Sequence, residues 1–271
     1  MSESLVTRAL IGDVPFSASP IVPSTPTRPG WRWDRLTNLA RLATGHTPSR
    51  REPNYWTGEI PWLQLPDIRA LDGRNAFETI EHTNQLGIEN SAAVLLPEGT
   101  VCLSRTASVG FVTIMGRPMA TSQDFVNWVC GPELSPRFLM YLLIAARRQI
   151  RDLGSGATHH TIYFPTVQAF SICFPPLEEQ ERIAERLMEQ LATVERARAA
   201  ARTRLAAAET LPAAYLCEVF EGPEASAWEE YQLVDIVRTP IRTGISKPGR
   251  PDSDKRCLTL SAVRGRTLLV P

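Results

Sequence analysis

The chain has 271 residues with 29 basic and 29 acidic side chains, so its formal net charge is zero, and 43% of its residues are hydrophobic. This balance excludes a uniformly basic nucleic-acid binder and an acidic disordered regulator, since either would show one sign in excess. The longest apolar run, Phe138 to Ala146, is far shorter than the roughly 20 residues that a membrane helix needs. The N-terminus lacks a basic start followed by an apolar stretch, and we therefore expect a cytoplasmic protein without a membrane segment.

The five cysteines lie far apart, with no Cys-x-x-Cys pair and no histidine at metal-ligand spacing. We interpret them as buried reduced thiols rather than metal ligands. Only Lys247 and Lys255 are lysines, so the basic residues are almost all arginine. Arginine is the better bidentate partner for phosphate and for guanine.

The first 176 residues predict a leader followed by one mixed domain. Residues 1–30 carry five prolines among Ser and Thr, which is typical of a flexible leader. Beyond them, short alternating or apolar runs between turn signals predict strands at 59–65, 100–104 and 110–114. One helix is predicted from about Pro136 to Asp152, with apolar residues on one face and arginines near its end. Residues 31–176 are therefore expected to form a strand-rich domain of the α+β class.

A long helix is predicted after this domain, in a spacer that we assign to residues 177–221. The stretch Leu177 to Leu211 contains no Gly and no Pro, and its acidic residues precede its arginines. Propensity and macrodipole both favour a helix, and roughly 34 residues would extend about 50 Å. Its apolar positions recur at a spacing of three and four, forming a seam that requires a partner helix, as in one half of a coiled coil. The seam residues are Leu187, Leu191, Val194 and Leu205. The alternative is a lone amphipathic helix that lies on its own domain.

The residues beyond the spacer repeat part of the first domain. Cys257 to Arg264 aligns with Trp62 to Arg69 at an offset of 195, with two leucines and the arginine identical. Weaker echoes of Trp33, Leu39, Gly45 and Pro48 occur at Tyr231, Ile236, Gly244 and Pro248. We interpret residues 222–271 as the start of a second copy of the domain.

An ordered set of short motifs gives the chain a family resemblance. The motifs are Trp33 to Leu36, Gly45 to Ser49, Tyr55 to Trp62, Leu96 to Thr100, Ser104-Arg105, Ser122-Gln123 and Phe174 to Gln180. In this order and at these distances they resemble the DNA specificity subunit of type I restriction-modification systems. The resemblance covers residues 31–271.

The resemblance implies two target-recognition domains, each reading one half of a bipartite site in double-stranded DNA. Long helices would hold the domains apart and dock methyltransferase subunits. The chain itself would be non-catalytic and without a cofactor, since S-adenosylmethionine, ATP and magnesium would belong to the methyltransferase and the restriction or motor subunits. Because the second domain is incomplete, we interpret the chain as truncated or partial, and a homodimer through the helix seam would restore two domains.

Four loops carry side chains suited to DNA contact, which needs base-reading groups on a surface held in register by phosphate contacts. The first loop offers Thr47, Ser49, Arg50 and Arg51, the second Ser104, Arg105 and Ser108, the third Gln123, and the fourth Thr158, His159 and His160. The alternative for each is an ordinary solvated loop.

Two other functions stay open at this point. One is a stand-alone DNA nuclease or methyltransferase with its own recognition domain, although the sequence contains no dinucleotide, Walker or nucleophile-elbow motif. The other is a non-functional scaffold or decoy fragment. A metal site at His159 and His160 is disfavoured, because adjacent residues of a strand point to opposite faces.

Overall fold

The computed structural model describes residues 14–154 and 161–238, and its fold is α+β as predicted. The strands within these residues are β1 (Phe16–Ser17), β2 (Arg32–Arg35), β3 (Ala40–Thr44), β4 (Ile60–Leu63), β5 (Asn75–Ala76), β6 (His82–Thr83), β7 (Val101–Ser104), β8 (Val112–Met115), β9 (Ala120–Thr121), β10 (Phe125–Cys130) and β11 (Ser171–Phe174). The helices are α1 (Leu36–Leu39), α2 (Leu65–Ala70), α3 (Gln85–Glu89), α4 (Pro136–Ala145), α5 (Arg147–Asp152), α6 (Phe164–Gln168), α7 (Leu177–Glu221) and α8 (Leu233–Ile236). The three strands predicted from residue patterns are confirmed as β4, β7 and β8.

A five-stranded sheet of order β3-β10-β7-β8-β5 forms the centre of the domain. β10 pairs antiparallel with both β3 and β7, and β8 pairs antiparallel with β7 and parallel with β5. Residues alternate between the two faces of the sheet, and both faces are covered. Val126 and Trp128 of β10 enter one apolar cluster together with α4, whereas Phe125 enters a second cluster with Ile68 of α2. Burial on both faces explains why these strands are almost wholly apolar.

Residues 14–30 differ from the flexible leader that their composition predicts. β1 pairs antiparallel with β11, in a sheet of order β1-β11-β2. Phe16 is buried and meets Phe170 edge-on, with ring centroids 4.9 Å apart. The Trp33 indole donates to the Thr25 carbonyl at 2.8 Å. The prediction is corrected for this part: prolines fix extended backbone at little entropic cost, and the segment packs on the domain.

The helix predicted from about Pro136 to Asp152 is present as α4 and α5. Ala146 interrupts it, with a ψ of 0° that departs from helical geometry. Ala146 and Ile150 are nonetheless fully buried, so the two pieces cover the same cluster.

The long helix is confirmed as α7, which spans Leu177–Glu221 with Pro212 inside. The chain divides into two compact units, residues 1–199 and 200–271, so α7 contributes to both. Leu191, Val194 and Leu205 are exposed, while Leu187 is half-buried beside Trp31 and Phe138. Pairing of this seam with a second helix stays a prediction.

The side chain of Gln180 anchors the start of α7 to the domain. Its Oε1 accepts from the Ser135 amide at 2.9 Å, and its Nε2 donates to the carbonyls of Glu133 and Pro175 at 2.8 and 2.9 Å. Gln180 is fully buried, and its bonds with the Ser135 amide and the Pro175 carbonyl are buried as well, so these groups depend on one another for partners. A carboxamide has both the acceptor and the donors that this site needs, which explains the glutamine of the Pro-Pro-Leu-Glu-Glu-Gln motif.

Replacing Gln180 by leucine keeps the volume but leaves the Ser135 amide and the Pro175 carbonyl buried without this partner. We expect Gln180→Leu to lower the free energy of unfolding by about 2 to 4 kcal/mol, measured by urea denaturation. The matched control is Gln190→Leu, which changes an exposed glutamine of the same helix. Equal stability of the two variants would contradict the anchoring role.

Candidate nucleic-acid interface

Three of the four predicted loops meet at one edge of the five-stranded sheet. They are residues 45–51 after β3, residues 104–111 around the β7–β8 turn, and residues 121–124 between β9 and β10, and we call them together the loop edge. The register of β10 brings them together, because Val126 pairs with Thr44 and Phe125 pairs with Ser104.

Backbone contacts join the first and third loops directly. The His46 amide donates to the Thr121 carbonyl at 2.9 Å, and the Thr47 hydroxyl donates to the side-chain carbonyl of Gln123. A Cβ at Gly45 would collide with the carbonyls of Thr121 and Ser122. Glycine is therefore required where these two loops approach, which gives the Gly-x-Thr-Pro-Ser motif a physical reason.

The second loop joins the same surface from its other side. The Arg105 amide donates to the Asp124 carbonyl at 2.8 Å, and the Ile162 amide donates to the Arg105 carbonyl at 2.9 Å. Thr106 and Thr161 form an isolated bridge. Thr161, the last residue of the fourth predicted loop, is therefore on this edge, but the candidates Thr158, His159 and His160 lie outside the described residues.

Arg50 is held within the first loop by contacts that the sequence reasoning missed. Its guanidinium carbon lies 3.8 Å from the centroid of the Trp56 ring and 4.8 Å from that of Trp62. Its NH1 and NH2 groups donate to the two carboxylate oxygens of Glu81 at 3.0 and 2.6 Å. The Gln64 amide also donates to Glu81, at 3.1 Å. The charge of Arg50 is thus matched inside the chain, although DNA contact by Arg50 stays a prediction.

The hydrogen bonds from Arg50 lower the pKa of the Glu81 carboxyl from its ordinary 4.5, an effect that burial partly opposes. The Trp62 indole donates to the His46 carbonyl at 3.3 Å. The Ile-Pro-Trp motif and the Gly-x-Thr-Pro-Ser motif therefore pack together through Trp62 and Arg50. Both motifs belong to the set that carries the family resemblance, which was the one sequence signal linking them. The spacing of the motifs along the chain did not reveal that Arg50 packs on Trp62.

The remaining candidates of the first and third loops are accessible. Ser49 and Arg51 are exposed, as is Gln123, while Thr47 is half-buried. The Ser49 hydroxyl accepts from the Arg51 amide at 3.3 Å, which shapes the turn. Among the described residues, the Arg51 guanidinium has no hydrogen-bonding or ionic partner. Arg51 and the Gln123 amide therefore present free donors at the loop edge.

Two candidates of the second loop, Ser104 and Ser108, lie in the interior of the turn. Ser104 is fully buried, and its hydroxyl donates to the Ser108 carbonyl and accepts from the Phe111 amide. Ser108 is also buried, and its hydroxyl accepts from the Arg69 guanidinium. These hydroxyls satisfy the turn from inside, and DNA contact by Ser104 and Ser108 stays a prediction. Arg105 is half-buried, with its guanidinium carbon 5.2 Å from the centroid of the Phe164 ring.

Within residues 14–154 and 161–238, no group of three or more His, Cys, Asp or Glu side chains is placed to hold a metal ion. In the same part of the chain, no helix combines the length and the apolarity needed to cross a membrane. Burial raises the pKa of the Cys130 thiol to about 12, and it raises the pKa of Cys102 still further. Both thiols are therefore protonated and unreactive at neutral pH.

Known proteins of one kind resemble this chain in sequence. It is 26% identical over 156 residues to the type I restriction enzyme MjaIX specificity subunit of Methanocaldococcus jannaschii, an alignment covering 57% of this chain and 36% of the relative. It is 26% identical over 134 residues to the type I restriction enzyme HindI specificity subunit of Haemophilus influenzae, covering 48% and 28%. The chain thus spans about a third of the length of these curated relatives.

Solved structures show the same fold. A chain from a study of complex assembly and conformational transition in a type I R-M system superposes with a TM-score of 0.58 at 22% identity, over 80% of this chain and 51% of that one. The HsdS subunit from Thermoanaerobacter tengcongensis superposes with a TM-score of 0.51 at 20% identity, over 72% and 45%. At these identities the likeness shows the fold alone.

Fold and sequence together place the chain in the class of DNA specificity domains. Residues 30–199 match the family described as the type I restriction modification DNA specificity domain, which is more than half of the chain. The chain belongs to this family, and the resemblance noted from its motifs is confirmed.

The contact between Arg50 and Glu81 leads to a prediction about the acid titration of the Glu81 carboxyl. We expect the Glu81 carboxyl to titrate below 4.5 and to return toward that value in Arg50→Ala, because the charged form loses its main donors. Since the folded pKa is the lower one, the stabilising contribution of the pair is present above the ordinary pKa and is lost as pH falls through the lowered value. Carboxyl-carbon NMR shifts measure the midpoint.

Arg51→Ala serves as the control for this titration, because it removes the neighbouring guanidinium, which has no described contact with Glu81. An equal change in the Glu81 midpoint in both variants would show that general charge, rather than the specific pair, sets the pKa.

Proposed function

We propose that this chain is a sequence-specific DNA-binding subunit of a type I restriction-modification system. The observation that carries the proposal is the loop edge, where three loops from separate parts of the chain meet on one sheet and the first and third present accessible hydroxyl, guanidinium and amide groups. Such a surface supplies both the phosphate contacts that position a protein and the side chains that read base edges. Membership of the specificity-domain family supports it.

The chain would supply the target address and leave the chemistry to partners. In this proposal it is non-catalytic and holds no cofactor, and it acts in the cytoplasm with methyltransferase and restriction or motor subunits. S-adenosylmethionine, ATP and magnesium would bind to those subunits. The names of the relatives, each called a specificity subunit of a type I restriction enzyme, support this division of labour.

The second recognition domain predicted to start within residues 222–271 also belongs to the proposal. At an offset of 197, Trp228, Leu233 and Ile236 align with Trp31, Leu36 and Leu39. Both stretches contain a helix of four residues, preceded by a residue with nearly identical backbone angles, φ −65° and ψ 135° in the first and φ −67° and ψ 134° in the second. The repeat found in sequence at Cys257 to Arg264 lies outside the described residues.

The two copies of this helix differ in burial. Leu36 and Leu39 are buried in the first domain, whereas Leu233 and Ile236 are more than half exposed. Leu36 and Leu39 are buried by the surrounding strands and helices of the first domain, and their counterparts Leu233 and Ile236 would need equivalent elements to become buried. A homodimer through the seam of α7 remains the proposed arrangement of this chain if it acts without a complete second domain.

Genome-wide mapping of methylated adenines tests the proposed function. Co-expressed with the methyltransferase subunit of its own system, the chain is expected to direct methylation to one recurrent sequence, which loses its methylation when the chain is omitted. A methylation pattern that is the same with and without the chain would refute the proposal. Cleavage or methylation of DNA by the purified chain alone would favour the stand-alone enzyme instead.

Salt dependence of DNA binding gives a second prediction, at the level of one residue. Affinity for duplex DNA, measured by fluorescence anisotropy, should fall as salt rises, and Arg51→Ala should reduce the slope of log K against log salt by about 0.9, the value of one lost phosphate contact. The control is Arg41→Ala. Arg41 is an exposed residue of β3, three positions before the end of that strand, and its backbone lies opposite Val129 of β10. An equal reduction of the salt slope in both variants would contradict a specific phosphate contact by Arg51.

A further inference from the structure

Three arginine side chains from two helices converge on consecutive residues of the β7–β8 turn. The pairs are Arg69 of α2 with the Ser108 hydroxyl, Arg151 of α5 with the Val109 carbonyl, and Arg147 of α5 with the Gly110 carbonyl. The Arg151 and Arg147 contacts measure 3.0 and 2.7 Å from Nε. They hold a turn in which Ala107 has a φ of 56°, a left-handed conformation that a non-glycine residue adopts only when its surroundings impose it.

The three guanidiniums differ in how their charge is matched. The NH2 group of Arg147 donates to both carboxylate oxygens of Asp72, at 2.6 and 2.7 Å. Asp72 also accepts from the Val112 amide at 3.0 Å, and both side chains of the ion pair are only 23% exposed. Arg147 is therefore a neutralised, largely buried structural contact.

Arg69 and Arg151 form no ion pair with any carboxylate in the part of the chain that the structure describes. Both residues are exposed. Arg151 uses Nε for the turn and keeps both terminal nitrogens free, whereas Arg69 uses Nε and NH2 and keeps NH1. Each side chain is thus held in position, and among the described residues neither guanidinium is within ion-pairing distance of a carboxylate.

A recess of about 490 Å³ lies beside this turn, and Arg151 is one of the residues that line it. Asp152 is its one acidic lining residue among those described, and the rest of the lining is Ala107, Ser108, Val109 and Phe111. The Arg151 guanidinium carbon lies 5.7 Å from the centroid of the Phe111 ring. A cation beside an apolar wall is suited to a sugar-phosphate group, which has an anionic and a less polar part.

We propose that Arg69 and Arg151 contact DNA phosphates and set the position of the loop edge on the duplex, while Arg147 is a positioning residue that supports the turn. This inference rests on the proposed function. The turn lies on the loop edge, because Arg105 at its start is bonded to Asp124. Arginines already fixed by the protein lose little side-chain entropy on binding, and a guanidinium makes strong charge-assisted hydrogen bonds to phosphate.

The test compares salt slopes for duplex DNA binding in the full chain. Arg69→Gln with Arg151→Gln should reduce the slope by about 1.8, so that the loss of affinity between 50 and 200 mM salt shrinks by about 12-fold. Arg69→Lys with Arg151→Lys keeps both charges and should retain the slope. Arg147→Gln with Asp72→Asn removes the ion pair without changing net charge, and it should lower affinity and melting temperature while leaving the slope unchanged.

Each other outcome has a defined meaning, once circular dichroism shows that the variants are folded. Salt-dependent binding by the wild type with an unchanged slope in the glutamine variant overturns the inference but leaves the proposed function standing. Loss confined to particular DNA sequences would show base contacts and would also overturn it. Absence of salt-dependent binding in the wild type would count against the proposed function itself.

Discussion

β10 pairs with β3 on one side and with β7 on the other, and these two ladders decide which loops can meet. Because the first residues of β10 lie opposite the last residues of both neighbours, the chain leaves β3, leaves β7 and enters β10 at the same edge. A shift of one residue in either ladder would exchange the two faces of a strand, and both faces are buried. The apolar core therefore fixes the register, and the register fixes the loop edge.

Solvent-exposed arginine is abundant in this chain, so the structural question is which arginines have their charge matched. Arg50 and Arg51 are adjacent in sequence, yet one lies against two indole rings and pairs with Glu81, and the other is free. Arg147 and Arg151 are one helical turn apart and show the same difference: Arg147 pairs with Asp72, whereas Arg151 forms no ion pair among the described residues. A neutralised guanidinium supports the shape of a loop, whereas a free one can take a phosphate, and the chain uses both kinds side by side.

Local patterns in the sequence predicted what local physics determines. The strands β4, β7 and β8 and the helices α4, α5 and α7 follow from periodicity, turn residues and propensity. The pairing of Arg50 with Glu81 joins residues 31 positions apart, and the burial of Ser104 depends on how the turn closes over it, so neither is readable from composition. The packing of residues 14–30 on the domain was missed for a similar reason, since proline content predicts extended backbone but does not say whether a strand such as β11 is available to pair with it.

The end of the long helix illustrates the same distinction. Pro212 lies inside α7, although a proline ring removes one backbone hydrogen bond and crowds the preceding turn. α7 nevertheless runs on to Glu221, since a single lost bond is tolerated where the flanking residues are strong helix formers such as alanine. At the other end, the Gln180 amide satisfies three backbone groups of the domain and helps to fix where α7 leaves it. Under the proposed function, a partner docked on the start of α7 would be positioned relative to the loop edge through this junction.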